Sequence, residues 1–400
     1  MHPKELVTST FRQRFGKEPA FVALAPGRVN ILGEHVDFND GFVLPAAIDR
    51  ATYIAFAPAS SERSTLVAAD FGEQASFTLA SIPTKTNADG GPLAEWAYYP
   101  AGVAWALTEA DLAVPAIDAV FASNVPQGSG LSSSASIEMA FAVAWQTLSA
   151  VEGSAAEGAG WVLPPMQRAL LGQKAENKYV GVNCGIMDQF ASACGVSDKL
   201  LLLDCRSLEW QTLPVPEDVA IVIADTSVRR KLTDGEYNKR RQACEDAVKI
   251  LSQHLPNVRA LRDVSVNDFN RLSDQLPGVV EKRARHVVEE IERSRRAIPL
   301  LEQGKIREFG QIMNECHASL RDLYEVSIPE LNVMVEIAQS LPGCHGARLT
   351  GAGFGGCTAN LVEKSVAETF AAELARQYEA KTSLKPEIYI CKASDGARLV

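Results

Sequence analysis

The chain has 400 residues, of which 46% are hydrophobic and 22% are charged, and its formal net charge is -10. One hydrophobic core seldom supports a chain of this length, so we predict two domains with a cleft between them as the place for a binding site. The acidic balance argues against a surface that neutralises nucleic-acid phosphates, and no run of about eighteen apolar residues indicates a membrane span.

The first third of the chain is rich in short β-type runs, such as FVALAP, ATYIAFAP, STLVAADF and DAVFASNVP. One helix is predicted between them, from about Ala94 to Thr108, because apolar residues recur there at near-helical spacing. A second helix is predicted to begin near Ser132 to Ser134, since serine is a strong N-cap residue. A surface loop is predicted at 151–160, and a further helix covers Met166 to Val180.

The second half is mostly helical from Tyr237 to about Gln339, after two strand candidates, LLLDCRSLEW and VAIVIADTS. The end of the chain predicts a strand, a glycine loop, a strand, a helix and a strand. The predicted fold class is therefore α+β. We divide the chain into an N-terminal domain, residues 1–195, and a C-terminal domain, residues 196–400.

Eight cysteines are scattered along the chain without C-x-x-C pairs or zinc-site spacing. A chain this long does not need disulfides to hold its core, so we interpret them as reduced thiols of a cytosolic protein. The N-terminus also lacks the apolar segment of a signal peptide, which favours the same cytoplasmic location.

The segment PQGSGLSSSAS, residues 126–136, has the composition of a phosphate-binding loop. Gly128 and Gly130 let the backbone approach a ligand closely, and the N-terminus of the following helix offers unpaired N–H groups to an anion. Serine hydroxyls at 132–134 are candidate Mg²⁺ ligands. An ordinary turn followed by an N-cap is the alternative, and the chain has no G-x-x-x-x-G-K-[ST] loop.

A second glycine-rich segment, TGAGFGGC at 350–357, formally matches the dinucleotide fingerprint G-x-G-x-x-G. Only 44 residues follow Gly356, too few for the rest of a doubly wound sheet, and the next segment is typical of a strand. We therefore favour a glycine hairpin that faces the phosphate loop over a dinucleotide-dependent oxidoreductase.

One carboxylate is a candidate for acid–base chemistry, and a separate set of polar side chains is a candidate for binding a sugar. Asp188 lies among apolar and small residues, where a carboxylate is costly unless it is paired, and Arg28 is the candidate partner. A structural N-cap is the alternative for Asp188. In the stretch GRVNILGEHVDFNDG, the side chains of Glu34, His35 and Asp37 suit the many hydroxyls of a sugar; a metal site is the less favoured interpretation.

Three segments together resemble the galactokinase branch of the GHMP small-molecule kinases: GRVNILGEHVDFNDG, PQGSGLSSSAS and LTGAGFGGC. Further segments are similar to the same branch, among them ENKYVGVNCGIMDQFAS, GEYNKRRQACE, KRARHVV and SLRDLYEVSIPEL. The resemblance extends from about residue 20 to the end of the sequence. It implies the GHMP kinase fold, with the active site in the cleft between two domains.

The resemblance also implies the reaction, which is ATP-dependent phosphorylation of the C1 hydroxyl of α-D-galactose to galactose 1-phosphate. By position, Asp188 is similar to the catalytic aspartate and Arg28 to the arginine beside it. Because the guanidinium favours an ionised carboxylate, we expect Asp188 to be a charged proton acceptor. The residues at sugar-contacting positions are Glu34, His35, Asp37, Gly185 and Tyr237.

For the nucleotide, the resemblance implies ATP and Mg²⁺ as the cofactors. The matching phosphate-loop residues are Gly128, Ser129, Gly130, Leu131, Ser132, Ser133 and Ser134. Trp96 matches a tryptophan near the adenine. Ser134, with Ser133 as the alternative, and Glu176 correspond to the Mg²⁺ ligands.

The segment GRVNILGEHVDFNDG, residues 27–41, is called the sugar loop because the resemblance implies that it contacts the sugar. It departs from the family pattern, because HVDF stands where HTDY is usual. Val36 and Phe38 therefore lack hydroxyl groups, and Asp40 replaces a glycine. If the missing tyrosine hydroxyl positions Asp37, the pocket is altered, and Arg230 is the cation that we nominate for a uronic acid.

The alternatives are therefore a kinase for N-acetylgalactosamine, galacturonate or arabinose, and a non-catalytic regulator that binds sugar and ATP. In each case we expect a monomer whose partners are small molecules, with no nucleic acid and no membrane.

Overall fold

The computed structural model describes residues 1–153, 160–229 and 235–400. The predicted loop at 151–160 is helical in its first three residues, and its residues 154–159 lie outside the described part, as does Arg230. The strands are β1 (Phe21–Asn30), β2 (Phe42–Val43), β3 (Pro45–Pro58), β4 (Ser64–Ala68), β5 (Glu73–Phe77), β6 (Ile117–Ser123), β7 (Lys199–Asp204), β8 (Trp210–Pro214), β9 (Val219–Asp225), β10 (Cys344–Leu349), β11 (Cys357–Glu363), β12 (Glu387–Cys391) and β13 (Arg398–Leu399).

The helices lie where apolar residues recur at helical spacing, and the N-terminus of one of them is set by the serine run. They are α1 (Pro3–Phe15), α2 (Tyr98–Thr108), α3 (Ser133–Gly153), α4 (Pro165–Lys174), α5 (Met187–Cys194), α6 (Glu236–Leu251), α7 (Val266–Leu272), α8 (Gly278–Glu302), α9 (Ile306–Asp322), α10 (Pro329–Ser340) and α11 (Ala367–Thr382). A π-helical turn, Ala175–Val180, directly follows α4. The predicted helices near 94–108, 133 and 166–180 are thus confirmed, and so is the α+β class.

The strands of the described residues form three sheets. A six-stranded sheet has the order β13-β1-β3-β6-β4-β5, in which β4 and β6 are parallel and the other neighbours are antiparallel. An antiparallel sheet of four strands has the order β10-β11-β9-β12, and β2, β7 and β8 form the third. The predicted strand, glycine loop, strand, helix and strand at the end of the chain are confirmed as β10 to β12.

The sugar loop begins within strand β1, in its buried C-terminal part. The last eight residues of β1 are all buried, because α3 and α5 pack against it on the side away from solvent. The pairing with β3 shifts register between Pro26 and Arg28, a bulge that re-aims the side chains at the end of the strand. Arg28 is thereby directed toward the N-termini of α3 and α5.

The end of the chain returns to the first sheet. Strand β13 pairs with β1 through Ala23 and Leu399, and an isolated bridge joins Ile48 to Ala393. Strand β7 pairs with β2, so residues just beyond 195 share a sheet with an N-terminal strand. The domain boundary near residue 195 stays a prediction.

Within the described part of the chain, no helix has both the length and the apolar character needed to cross a membrane. All eight cysteines are free thiols.

Candidate active site

Arg28 and Asp188 form an ion pair at the centre of the molecule. Arg28 lies near the end of β1 and is 4% exposed, and Asp188 lies in the first turn of α5. The Nε and Nη2 atoms of Arg28 are 2.8 Å and 2.6 Å from Oδ1 of Asp188. The guanidinium also donates to the carbonyl of Gly130. The half-buried Asp188, whose side chain is 26% exposed, therefore has a buried arginine as its partner.

The phosphate loop approaches this pair from the other side. Gly128, Gly130 and Ser132 have φ values of 64°, 88° and 61°, so the loop makes tight left-handed turns before α3 begins at Ser133. The hydroxyl of Ser132 donates to Oδ2 of Asp188 at 2.6 Å. Both carboxylate oxygens of Asp188 are thus oriented, next to the N-terminus of a 21-residue helix.

The other residues of the loop contribute differently. The hydroxyl of Ser129 donates to the carbonyl of Pro126 at 2.7 Å, and the carbonyl of Leu131 accepts from the amide of Arg28 at 3.0 Å. Ser133 and Ser134 are half-buried at the start of α3. Their amides and hydroxyls are therefore at the helix end that suits an anion.

The glycine hairpin between β10 and β11 packs on the phosphate loop. A Cβ atom on Gly351 would lie 2.8 Å from Cα of Gly130, and one on Gly356 would lie 2.3 Å from the carbonyl oxygen of Ser129. The amide of Cys357 donates to that same oxygen at 2.9 Å. The hairpin leads into a strand, whereas a dinucleotide-binding loop leads into a helix. The expected contact between the two glycine-rich segments is confirmed.

Asp37 lies opposite Gly185, close to the ion pair of Arg28 and Asp188. A Cβ atom on Gly185 would lie 1.9 Å from Oδ2 of Asp37, so only glycine fits there. Burial, followed by the negative charge of Asp188, raises the pKa of Asp37 to about 6. The amides of Phe38 and Met187 donate to the Asp37 carboxylate. Backbone groups, and not a side-chain hydroxyl at position 38, therefore orient Asp37.

An aromatic wall borders the same loop. The ring of His35 has its centroid 5.7 Å from that of Tyr237 and 4.8 Å from that of Tyr324. Phe38 meets Tyr237 edge-on at 5.7 Å. Burial raises the pKa of Tyr237 well above its ordinary value, so its hydroxyl is neutral and can donate a hydrogen bond. The sequence analysis did not single out Tyr324, which lies within one of the segments quoted for the resemblance.

Glu34 is the most constrained member of the sugar loop. Its Oε2 atom forms an ion pair with Arg348 and accepts from the amide of Gly351 at 3.1 Å. The amides of Gly33 and Glu34 donate to Oε1 of Glu290 on α8, at 2.9 Å and 3.3 Å.

The partners of Glu34 were missed by the sequence analysis. Arg348 directly precedes the segment LTGAGFGGC, and this position is the one sequence feature that could have indicated a role for it. Glu290 lies on an amphipathic helix, and nothing in its spacing distinguishes it from its neighbours. Burial opposes the ionisation of Glu290, but Arg293, and then His286 and Arg348, lower its pKa to about 2.

Ser134 and Glu176 are neighbours, and their role as Mg²⁺ ligands stays a prediction. Glu176 lies in the π-helical turn and accepts a hydrogen bond from the hydroxyl of Ser134. Gln189 donates from one nitrogen to Glu176 Oε2 at 2.5 Å and to Glu138 Oε2 at 2.9 Å. Burial, followed by the charge of Asp188, raises the pKa of Glu176 to about 7. Glu138 has no role in the sequence analysis.

These two groups can serve Mg²⁺, which prefers oxygen ligands and keeps several waters or phosphate oxygens. No set of three or more His, Cys, Asp and Glu side chains in the described ranges is arranged to hold a metal ion. The less favoured metal site from Glu34, His35 and Asp37 therefore has no support among the described residues.

Trp96 lies in a short 3₁₀ turn before α2, and its ring centroid is 5.5 Å from that of Phe121 on β6. Strand β6 leads directly into the phosphate loop, so Trp96 lies on the side of the molecule from which that loop emerges. Its Nε1 is buried with no hydrogen-bond partner in the part of the chain that the structure describes.

A cavity of about 220 Å³ borders Asp37 and Gly185 on the side of Phe38 and Arg241. Polar groups of Asn177 and Gln173 also line it.

Three family models match the chain. Residues 9–58 match the galactokinase galactose-binding signature, residues 98–196 match the GHMP kinases N terminal domain, and residues 297–380 match the GHMP kinases C terminal domain. A curated galactokinase from Roseiflexus sp. (strain RS-1) is 45% identical over 386 residues, which cover 96% of this chain and 94% of that protein.

Solved structures agree with this grouping. The Lactococcus lactis galactokinase complexed with galactose has a TM-score of 0.89 and 33% identity, covering 98% of each chain. The Methanococcus jannaschii mevalonate kinase, with a TM-score of 0.59 and 18% identity over 94% of this chain and 98% of its own, shares the fold.

Proposed function

Since this chain belongs to the galactokinase family of the GHMP kinases, we propose that it transfers the terminal phosphoryl group of ATP to the C1 hydroxyl of α-D-galactose. The chain is an ATP-dependent sugar kinase of the galactokinase type. The observation that carries the assignment of its site is the position of Asp188, between the loop of Asp37 and the phosphate loop.

We propose that Asp188 accepts the proton of the C1 hydroxyl while the oxygen attacks the terminal phosphorus. The bond from that phosphorus to the ADP oxygen breaks, and the products are galactose 1-phosphate and ADP. Arg28 and Ser132 each hold one oxygen of Asp188, so the carboxylate is oriented before the sugar arrives. Alignment and charge neutralisation supply most of phosphoryl-transfer catalysis, and a positioned base adds about 10²- to 10⁴-fold.

The proposed sugar site consists of the loop residues together with the aromatic wall. A pyranose gives up many contacts with water on binding, so its pocket must replace them with donors and acceptors. Asp37 offers acceptor oxygens, and Tyr237 offers a neutral hydroxyl. The remaining proposed contacts are Glu34, His35 and the backbone amide of Gly185.

The proposed nucleotide site lies along the phosphate loop. The amides from Gly128 to Ser134 would hold the phosphates, and Trp96 would lie near the adenine. Ser134, with Ser133 as the alternative, and Glu176 would hold Mg²⁺, which when bound neutralises phosphate charge. The hydrogen bond between Ser134 and Glu176 supports this choice, because it brings a hydroxyl and a carboxylate to one point.

The test is a coupled assay of ADP release with a panel of aldoses, uronates and N-acetylhexosamines. We expect turnover with galactose, and we expect Asp188→Asn to lower kcat by about 10²- to 10⁴-fold with little change in the KM for galactose. Asp204→Asn is the matched control, because Asp204 is also paired with an arginine, Arg262, but lies in β7. If another sugar is turned over and galactose is not, the assignment of galactose as the substrate is wrong. If kcat is unchanged in Asp188→Asn, the assignment of Asp188 as the proton acceptor is wrong.

A further inference from the structure

The carboxylate of Glu34 is shared between two parts of the molecule. Its Oε2 atom receives hydrogen bonds from the guanidinium of Arg348 and, at 3.1 Å, from the amide of Gly351. Both donors belong to β10 and the glycine hairpin, not to the sugar loop that carries Glu34. One oxygen of a sugar-loop carboxylate therefore holds the start of the hairpin.

The hairpin in turn cannot shift without moving the phosphate loop. Its Gly351 lies against the backbone of Gly130, and Gly356 lies against the carbonyl of Ser129. The amide of Cys357 donates to that carbonyl at 2.9 Å. These are contacts between the backbones of two closely packed segments, and no flexible side chain lies between them to absorb a displacement.

Hydrogen bonds to backbone carbonyls and an ion pair hold the guanidinium of Arg348 in place. The side chain is fully buried, and its Nη2 donates to the carbonyl of Asn30 at 3.2 Å and its Nε to the carbonyl of Leu349 at 2.9 Å. The hydroxyl of Thr350 also donates to the carbonyl of Asn30, at 3.1 Å. A buried guanidinium needs a carboxylate, and Glu34 is the one that it contacts.

We propose that Glu34 links the sugar pocket to the phosphate loop, with Arg348 as its positioning residue. This inference rests on the proposed function, in which Glu34 contacts the sugar. One carboxylate oxygen faces the galactose, while Oε2 holds Gly351 and through it the backbone that supports Ser129 and Gly130. Loss of the Glu34 charge therefore weakens nucleotide binding as well as sugar binding.

The test compares Glu34→Gln with Asp37→Asn, a neutral isostere in the same loop. Asp37 accepts from the amides of Phe38 and Met187, not from the hairpin. Calorimetry measures the Kd of a non-hydrolysable ATP analogue with Mg²⁺ in the absence of sugar, and separately the Kd of galactose. We expect Glu34→Gln to raise the analogue Kd by about 10-fold, the loss typical of one charge-assisted hydrogen bond, and Asp37→Asn to leave it within about twofold.

The outcomes separate the link from the function. An analogue Kd in Glu34→Gln equal to that of the wild type would overturn the link. A galactose Kd unchanged in both variants would overturn the sugar site, whatever the analogue shows. Arg348→Lys keeps the charge but loses the planar fork, and we expect it to raise the analogue Kd by a smaller factor, about threefold.

A measurement on the wild-type protein guards against a variant that fails to fold. Galactose alone should slow hydrogen exchange of the amides in 351–356, because the sugar orders Glu34 and Glu34 orders Gly351. Exchange that is unaffected by galactose at saturating concentration contradicts the link.

Discussion

Two groups of acidic side chains in and around the proposed active site differ in the charged groups that surround them. In the first group, called the paired acids, Glu34 contacts Arg348 and Glu290 contacts Arg293. Burial nevertheless outweighs Arg348 and leaves the pKa of Glu34 raised. In the second, called the clustered acids, Glu138, Glu176 and Asp37 lie near other carboxylates. The arginines lower the pKa of Glu290 to about 2, whereas burial raises the pKa of Glu176 to about 7.

The difference concerns how each buried charge is tolerated, and Glu34 is both a paired acid and a proposed sugar contact. An ionised acid beside a guanidinium is a satisfied part of the interior, and removal of its partner leaves an uncompensated charge. A buried acid beside other acids costs folding free energy whenever it ionises. A protein keeps such groups where a ligand uses them, at the expense of stability. The clustered acids lie where the sugar and Mg²⁺ are proposed to bind.

The largest expected effect comes from breaking a paired acid. Arg293→Met should lower the free energy of unfolding by about 3 to 5 kcal/mol, because it leaves the fully buried Glu290 carboxylate without its partner. Urea denaturation followed by circular dichroism measures the change. Arg296→Met on the same helix is the control, since Arg296 is 52% exposed and its pair with Glu315 should contribute less than about 1 kcal/mol. Equal losses of unfolding free energy in the two variants would contradict the expected difference between a buried and an exposed ion pair.

Neutralising a clustered acid should have the opposite sign. The folded pKa of Asp37, about 6, is above its ordinary value of 3.8. Its contribution to stability is therefore complete below about pH 4 and is lost as the pH rises through 6. Asp37→Asn does not titrate, so at pH 8 it should be more stable than the wild type by about 3 kcal/mol, although it binds galactose poorly.

The gain in Asp37→Asn should disappear at pH 4, where urea midpoints of the two proteins should coincide. A wild type that is equally stable from pH 4 to 8 would mean that Asp37 is not a clustered acid.

The smallest effect concerns the position beside Asp37. Backbone amides orient the Asp37 carboxylate, so restoration of a hydroxyl in Phe38→Tyr should change kcat/KM for galactose by less than about threefold, or under about 0.7 kcal/mol. Steady-state kinetics in the ADP-release assay measure it. A gain above tenfold would show that a hydroxyl at position 38 does orient the acid.

The sequence identified the parts of the site that carry local signals. The glycines and serines of 128–134 have a composition that only a tight loop before a helix explains, and the structure has that loop. Asp188 and Arg28 were paired by a charge argument, because a buried acid needs a cation, and they form the ion pair. The helices and the terminal strands followed from periodicity.

The residues that the sequence analysis missed act through tertiary contacts. Glu290 and Arg348 are separated from Glu34 by more than 250 positions, and no periodicity indicates which charged residues of a helix or strand will be buried. Glu138 lies on an apolar helix where a single acid has no local explanation. Only the fold shows that one nitrogen of Gln189 holds it together with Glu176.

The return of β13 to β1 sets the order in which the protein can fold as it is synthesised. Strand β1 is made early, but its outer neighbour follows after about 370 residues, which at 5 to 20 residues per second means roughly 20 to 75 s. Until then one edge of β1 exposes unpaired backbone groups that invite pairing with other chains. The nascent chain is therefore exposed to misassembly until residues 398–399 have been synthesised and can complete the first sheet.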